Sequence, residues 1–181
     1  GSRQMVVAAV GGTIDEYLDQ GAAERLHLEE AHLVTNGAGQ VVAVLDTGVA
    51  TNHPDLTGKL WPGYDFVSRT TRSNDGDARD ANPDDPGDWS IANECGTGEA
   101  AADSSWHGTQ VAGLIGAASD NGIGMASVGR KVMVLPVRVL GKCGGFDDDI
   151  QAAMLWAAGL SNSRACNAGS SPALDCNPHP A

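Results

Sequence analysis

An aspartate closes an apolar run: Val41-Val-Ala-Val-Leu45 leads into Asp46-Thr47-Gly48. In open α/β sheets, ligands gather at the carboxyl ends of strands. A carboxylate there is costly to bury unless it is hydrogen-bonded. Alone, the tripeptide suits either a catalytic carboxylate or a turn whose Asp accepts backbone N–H bonds. His107-Gly108-Thr109 opens a helical pattern further on. A helix N-terminus disfavours a permanent cation. A carboxylate beside the ring would offset this and stabilise an imidazolium formed in catalysis. Asp46 is the candidate, fixing the imidazole tautomer through Nδ1–H. Read in isolation, His107 also suits a capping or core role.

A second group of chemistry-bearing residues is acidic. Between Asp75 and Asp103 there are nine acids and one base, Arg79, which is −8 of a formal net charge of −12. Asp75, Asp77 and Asp80, with Asp84 and Asp85, lie on a Gly-bearing turn. Without a cation their mutual repulsion disfavours order, so a Ca²⁺ site is expected here. A solvated acidic loop is the alternative. The four cysteines, Cys95, Cys143, Cys166 and Cys176, contain no CxxC pair, which argues against zinc or thioredoxin chemistry. Two disulfides and an oxidising compartment are expected.

The elements that must position these residues follow from the pattern. The run 41–45 does not alternate, as expected of a strand buried on both faces of a parallel sheet. Val132 to Val139 reads as a second such strand. Glu24 to Val34 has helical spacing and ends at the Thr35-Asn-Gly-Ala-Gly39 turn signal. From His107 to Ser119, Val111, Leu114, Ile115 and Ala118 fall at helical spacing. Asp147-Asp-Asp149 opens a helix to Ala158, with three acids at its positive end. Strand, helix, strand, helix predicts an α/β fold: a parallel β-sheet flanked by helices. Residues 68–105 are a polar excursion whose prolines and glycines exclude regular structure. With aromatics at 4%, the core is expected to be Val, Leu, Ile and Ala.

The chain has 181 residues, enough for one domain with a real core. Its acidity excludes nucleic acid and anionic membrane as favoured partners. No apolar run reaches the ~18 residues that span a bilayer. Residues 1–35 read as a peripheral N-terminal segment, 36–160 as the motif-bearing core and 161–181 as a disulfide-closed loop.

Four motifs in one order decide between the readings of Asp46 and His107: Val44-Leu-Asp-Thr-Gly-Val49, His53-Pro-Asp-Leu56, His107-Gly-Thr-Gln-Val-Ala-Gly113 and Leu135-Pro-Val-Arg-Val-Leu140. Together they resemble the subtilisin-like serine proteases, the subtilases, over roughly residues 36–160. The acidic loop, Ser104-Ser-Trp-His107 and Gly141-Lys-Cys-Gly-Gly145 look like the secreted, calcium-dependent, disulfide-bearing bacterial branch. The resemblance implies a secreted or periplasmic endopeptidase acting on polypeptides through a Ser-His-Asp triad, without an organic cofactor. Asp46 would orient His107. His107 would act as general base, then acid. Gly144 and Gly145 would pair with an extended substrate backbone, and Leu140 and Phe146 would line nearby apolar subsites. A further Ca²⁺ site is implied at the Asp55 carboxylate, the Asn121 side chain and the carbonyls of Ser119, Ile123 and Met125. An ordinary Asn-Gly turn is the alternative there.

The departures from the family pattern are as informative. No Gly-Thr-Ser-Met nucleophile motif is present, and no Asn followed by Ser-Leu-Gly supplies an oxyanion donor. The chain is therefore expected to be the N-terminal part of a catalytic domain. Its partner would be the C-terminal half that carries the serine, and alone it would be inactive. Gln110 replaces a second histidine usual in the motif. A non-catalytic, calcium-stabilised binding or regulatory relative is the second reading. A third, an aspartic protease, uses Asp46 alone. Pairing Cys95 with Cys143 would pin the acidic loop beside the cleft, and Cys166 with Cys176 would close a small loop. The other two connectivities stay open.

Overall fold

A computed structural model describes residues 21–160. Two short helices, α1 (Gly21–Arg25) and α2 (Leu28–Val34), precede strand β1 (Val41–Asp46). After a 3₁₀ turn at Pro54–Leu56 come β2 (Tyr64–Asp65) and the one-turn α3 (Thr70–Ser73). Helix α4 (His107–Gly116), β3 (Met133–Arg138), the hairpin strands β4 (Leu140–Gly141) and β5 (Gly144–Gly145), and α5 (Asp147–Ala157) complete the order.

The sheet is parallel, in the order β1-β3-β2. β3 sits in the middle and shares a register with β1 from Val41–Met133 to Asp46–Arg138. Successive strand residues face opposite sides. Leu135 and Val137 of β3 pack with Ala152, Ala153 and Trp156 of α5. Val134 packs the other way, with Val44 of β1, Leu56 and Ala112 of α4. The sheet is thus covered on both faces, which is why its strands carry unbroken apolar runs. The alternation also decides the site. Asp46 lies two residues after Val44, so it emerges on the face that carries α4.

Four expectations need correction. Residues 24–34 form two helices, because His27 takes a left-handed conformation (φ 51°) and turns the chain. The helix from His107 ends at Gly116 rather than Ser119. The acidic excursion is not free of regular structure: it contains α3, and its Asp80 pairs with Asp65 of β2. The core is also not purely aliphatic. Tyr64, Phe66 and Trp156 are buried together, with ring centroids 4.8 to 5.8 Å apart. A low aromatic content does not say where the few aromatic rings go.

Candidate active site

Asp46 ends β1 and His107 begins α4. His107 Nδ1 lies 2.9 and 2.8 Å from the two Asp46 carboxylate oxygens. An imidazole nitrogen facing a carboxylate donates its proton. Nδ1–H is therefore fixed and Nε2 is left as the acceptor. Asp46 is buried, and its Oδ1 also accepts the Thr47 N–H at 2.7 Å. The His107 side chain is 63% exposed, so the ring is open to an incoming reactant. A carboxylate that holds an imidazole suits general base catalysis. It does not suit the aspartic protease reading, which needs a second carboxylate beside the first.

Close backbone approach makes the pair possible. A Cβ on Gly108 would lie 2.1 Å from the Gly48 carbonyl oxygen and 3.1 Å from Asp46 Cβ. Only glycine lets α4 come this near to the end of β1. The two elements are then zipped together. Gly108 N–H donates to Thr47 Oγ1 at 3.0 Å, and Ala50 N–H donates to Thr109 Oγ1 at 2.8 Å. Gln110, the departure from the family motif, donates from Nε2 to the Ser105 carbonyl at 3.0 Å and closes the loop before His107.

The segment expected to pair with substrate forms a hairpin. β4 and β5 form an antiparallel hairpin, with Leu140 opposite Gly145 and both glycines of β5 exposed. A Cβ on Gly145 would lie 2.6 Å from the Val139 carbonyl oxygen, so the hairpin needs glycine there. Leu140 is half-buried. Phe146 is covered by the Arg69 guanidinium, 3.3 Å from its ring centroid. Cys143, in the hairpin turn, is bonded to Cys95, with Cα atoms 5.2 Å apart. Lys142 beside it pairs with Glu94 at 2.6 Å, and this holds the Glu94 carboxyl below its usual range. Cys166 and Cys176 lie outside the described residues.

The acidic excursion departs from expectation. Arg138, 1% exposed and at the end of β3, pairs with Asp65 and Asp75 and donates to the Ser73 carbonyl. One acid of the excursion, Asp75, thus has this arginine as its countercharge. Burial pushes the Asp65 carboxyl up to about 7, against the pull of Arg138. For Asp75 burial acts the same way, yet the Ser73 hydroxyl and Arg138 hold it below the usual range. Asp77 is exposed. Asp80 accepts the Asn82 N–H, and Asp84 accepts the Thr51 N–H and hydroxyl at 2.9 and 2.8 Å. Among the described residues no three His, Cys, Asp or Glu side chains converge to hold a metal. Asp75, Asp77, Asp80 and Asp84 thus bring no three side chains together as a Ca²⁺ cradle, and Asp75 faces Arg138.

The Asp55 loop does fit one. Asp55 is 2% exposed, and its oxygens meet only neutral donors: Asn121 Nδ2 at 3.0 Å and Met125 N–H at 2.9 Å. Asn121 in turn accepts the Ile123 N–H. Ser119 Oγ is buried there without a partner. A buried carboxylate facing no cation, with an orphaned hydroxyl in the same loop, suits a hard cation. Asp55, Asn121 and the carbonyls of Ser119, Ile123 and Met125 are the residues that would hold it.

Two groups had no clear signal in the sequence. Asp149, read as a helix-end charge, is buried and pairs with Arg79 at 2.5 Å. It also accepts the Ser68 N–H and hydroxyl at 3.1 and 3.0 Å. The segment Asp84 to Asp88, read as solvated or metal-binding, is bonded to the loops after Asp46 and before His107 through Thr47, Thr51 and Ser105.

Residues 37–172 match the model of the subtilase family of peptidases. The chain belongs to the subtilase family. It is 51% identical over 134 residues to an extracellular protease of Xanthomonas campestris, covering 74% of this chain and 23% of that protein. It is 50% identical over 127 residues to an extracellular basic protease of Dichelobacter nodosus, covering 68% of this chain and 21% of that one. A solved protease of Pseudoalteromonas arctica superposes with a TM-score of 0.73 at 51% identity, over 76% of this chain and 40% of that one. The subtilase chain thus spans less than a quarter of the length of these two curated relatives. No helix among its described residues is long and apolar enough to cross a membrane.

Proposed function

We propose that this chain is the part of a secreted subtilase endopeptidase that supplies the aspartate and histidine of a Ser-His-Asp triad. One observation carries the reading: both Asp46 oxygens lie within 2.9 Å of His107 Nδ1, while the ring stays open. Asp46 fixes the tautomer, so Nε2 takes the proton of a serine hydroxyl as that oxygen attacks the peptide carbonyl. The resulting imidazolium is stabilised by Asp46 and then protonates the leaving amine. An extended polypeptide adds to the exposed Gly144–Gly145 edge.

The serine and its oxyanion donor belong to sequence outside these 181 residues. Removing the triad serine or histidine costs about 10⁶ in rate in subtilisin, a measured property of that enzyme rather than of this chain. These residues alone are therefore inactive. Ca²⁺ at the Asp55 loop would neutralise a buried charge and stiffen the end of α4, and takes no part in proton transfer.

Fluorophosphonate labelling in Ca²⁺, read by intact-mass spectrometry of every polypeptide present, tests the reading. Label on a serine outside these residues, lost in H107A, is expected. A preparation that contains the serine-bearing segment yet takes no label would overturn it and leave the non-catalytic reading.

A further inference from the structure

Two neighbouring residues of β1 and its exit hold two neighbouring residues of α4. Asp46 binds His107, and Thr47 binds Gly108, each pair 61 positions apart. The second link has an unusual support. The Thr47 hydroxyl accepts the Gly108 N–H at 3.0 Å and donates to Asp85 Oδ2 at 2.7 Å. Thr47 is 4% exposed and Asp85 3%. Asp85 takes its other bond from Gly87 N–H at 2.8 Å, and its own N–H donates to the Val49 carbonyl at 2.9 Å. No ion pair joins Asp85 among the described residues.

A hydroxyl has one proton and two lone pairs. With its proton committed to Asp85, it must turn a lone pair to Gly108. Arg138 acts on Asp85 only through space, and a buried carboxylate without a direct ion pair is an expensive way to orient one hydroxyl. A neutral acceptor would serve the fold as well. What the carboxylate adds is polarity: an ionised acceptor makes the Thr47 oxygen a stronger acceptor in turn. The Gly108 N–H is one of the first-turn donors that α4 leaves without a helical partner. It sits one residue from His107.

We infer that Thr47, oriented by Asp85, is a positioning residue that fixes the first turn of α4 and thereby the seating of the His107 ring on Asp46. The inference rests on the Asp46–His107 reading above and adds two residues to it. It gives the Asp84-Asp85 segment a task in the site that cation binding does not supply.

The test is the His107 Nδ1–H proton signal in the intact protein labelled with ¹⁵N-histidine. Thermal unfolding of each variant serves as the control. In the unsubstituted protein this proton is protected by Asp46. T47V keeps the shape and removes the hydroxyl, and is expected to speed its exchange with water more than tenfold. T47S keeps the hydroxyl and is expected to stay within about twofold of the parent. D85N keeps an acceptor without the charge and should fall between them, providing a reading even where T47V does not fold. D46N is the separate control on the underlying reading and should abolish the signal. If D46N leaves the signal intact, the Asp46–His107 couple is wrong. If D46N abolishes it while folded T47V, or D85N in its place, leaves exchange unchanged, Thr47 is merely structural and the inference is overturned.

Discussion

Asp88 holds Ser105 by both its N–H, at 2.6 Å, and its hydroxyl, at 2.9 Å, two residues before His107. The Ser105 oxygen also accepts the His107 N–H at 3.3 Å. The acidic excursion therefore also reaches His107 through Asp88. D88A removes two charge-assisted bonds at a partly exposed site, and a loss of about 1–2 kcal/mol in urea unfolding is expected. Hydrogen exchange at the His107 and Gly108 amides should rise more than at the β3 amides. Equal rises would mean that Asp88 stabilises the chain without local effect.

The Cys95–Cys143 bond closes 48 residues and anchors the excursion to the Gly144–Gly145 hairpin. The chain-entropy model sets an upper value of about 4 kcal/mol for such a loop. Replacing both cysteines by serine should lower stability by up to that amount. Binding of an extended peptide inhibitor should weaken by more than tenfold, because the hairpin loses its anchor. Affinity unchanged within twofold would show that the hairpin is held by Lys142–Glu94 and its own register instead.

The sequence made legible what local pattern controls. The runs at 41–45 and 132–139 gave both long strands, and the Asp46 and His107 motifs meet as their order implied. Long-range charge partners were not legible. Arg138 ends an apolar strand, and nothing local says that it is buried between Asp65 and Asp75. Asp149 follows the helix-dipole rule, and nothing local says that Arg79, 70 positions away, will reach it. A run of carboxylates shows that a countercharge is needed. It does not show whether a metal or a side chain will supply it. The aromatic trio was hidden for the same reason, since Trp156 lies far along the chain from Tyr64 and Phe66.

The buried cluster around Arg138 carries a pH signature. With Asp65 raised to about 7, the folded chain holds a proton there that the unfolded chain loses near 3.8. This group therefore makes stability fall as pH rises from about 4 to 7, by at most about 1.4 kcal/mol per pH unit. Asp75 is shifted the other way. Its contribution is present above its ordinary value and lost as pH falls through its lowered one, so the two windows are separate. Urea unfolding of the parent and of D65N at pH 5 and pH 6.5 reads the difference. D65N should gain relative to the parent at the higher pH. A constant offset between the two proteins would mean that Asp65 is ionised throughout, paired with Arg138.

Calcium separates the two acidic regions. Asp55 is buried and lacks a cationic partner, whereas Asp75 shares Arg138 with Asp65. Isothermal titration of the protein with Ca²⁺ should show one site. That site should be lost in D55N and kept in a D77N/D80N double variant, whose carboxylates stand at the surface of the excursion. Chelation should lower the unfolding temperature of the parent and leave D55N unmoved, because a cation that binds only the folded state stabilises in proportion to its occupancy. Loss of the site in D77N/D80N with D55N still binding would move the cation to the excursion, and the Asp55 loop would then be closed by Asn121 and Met125 alone.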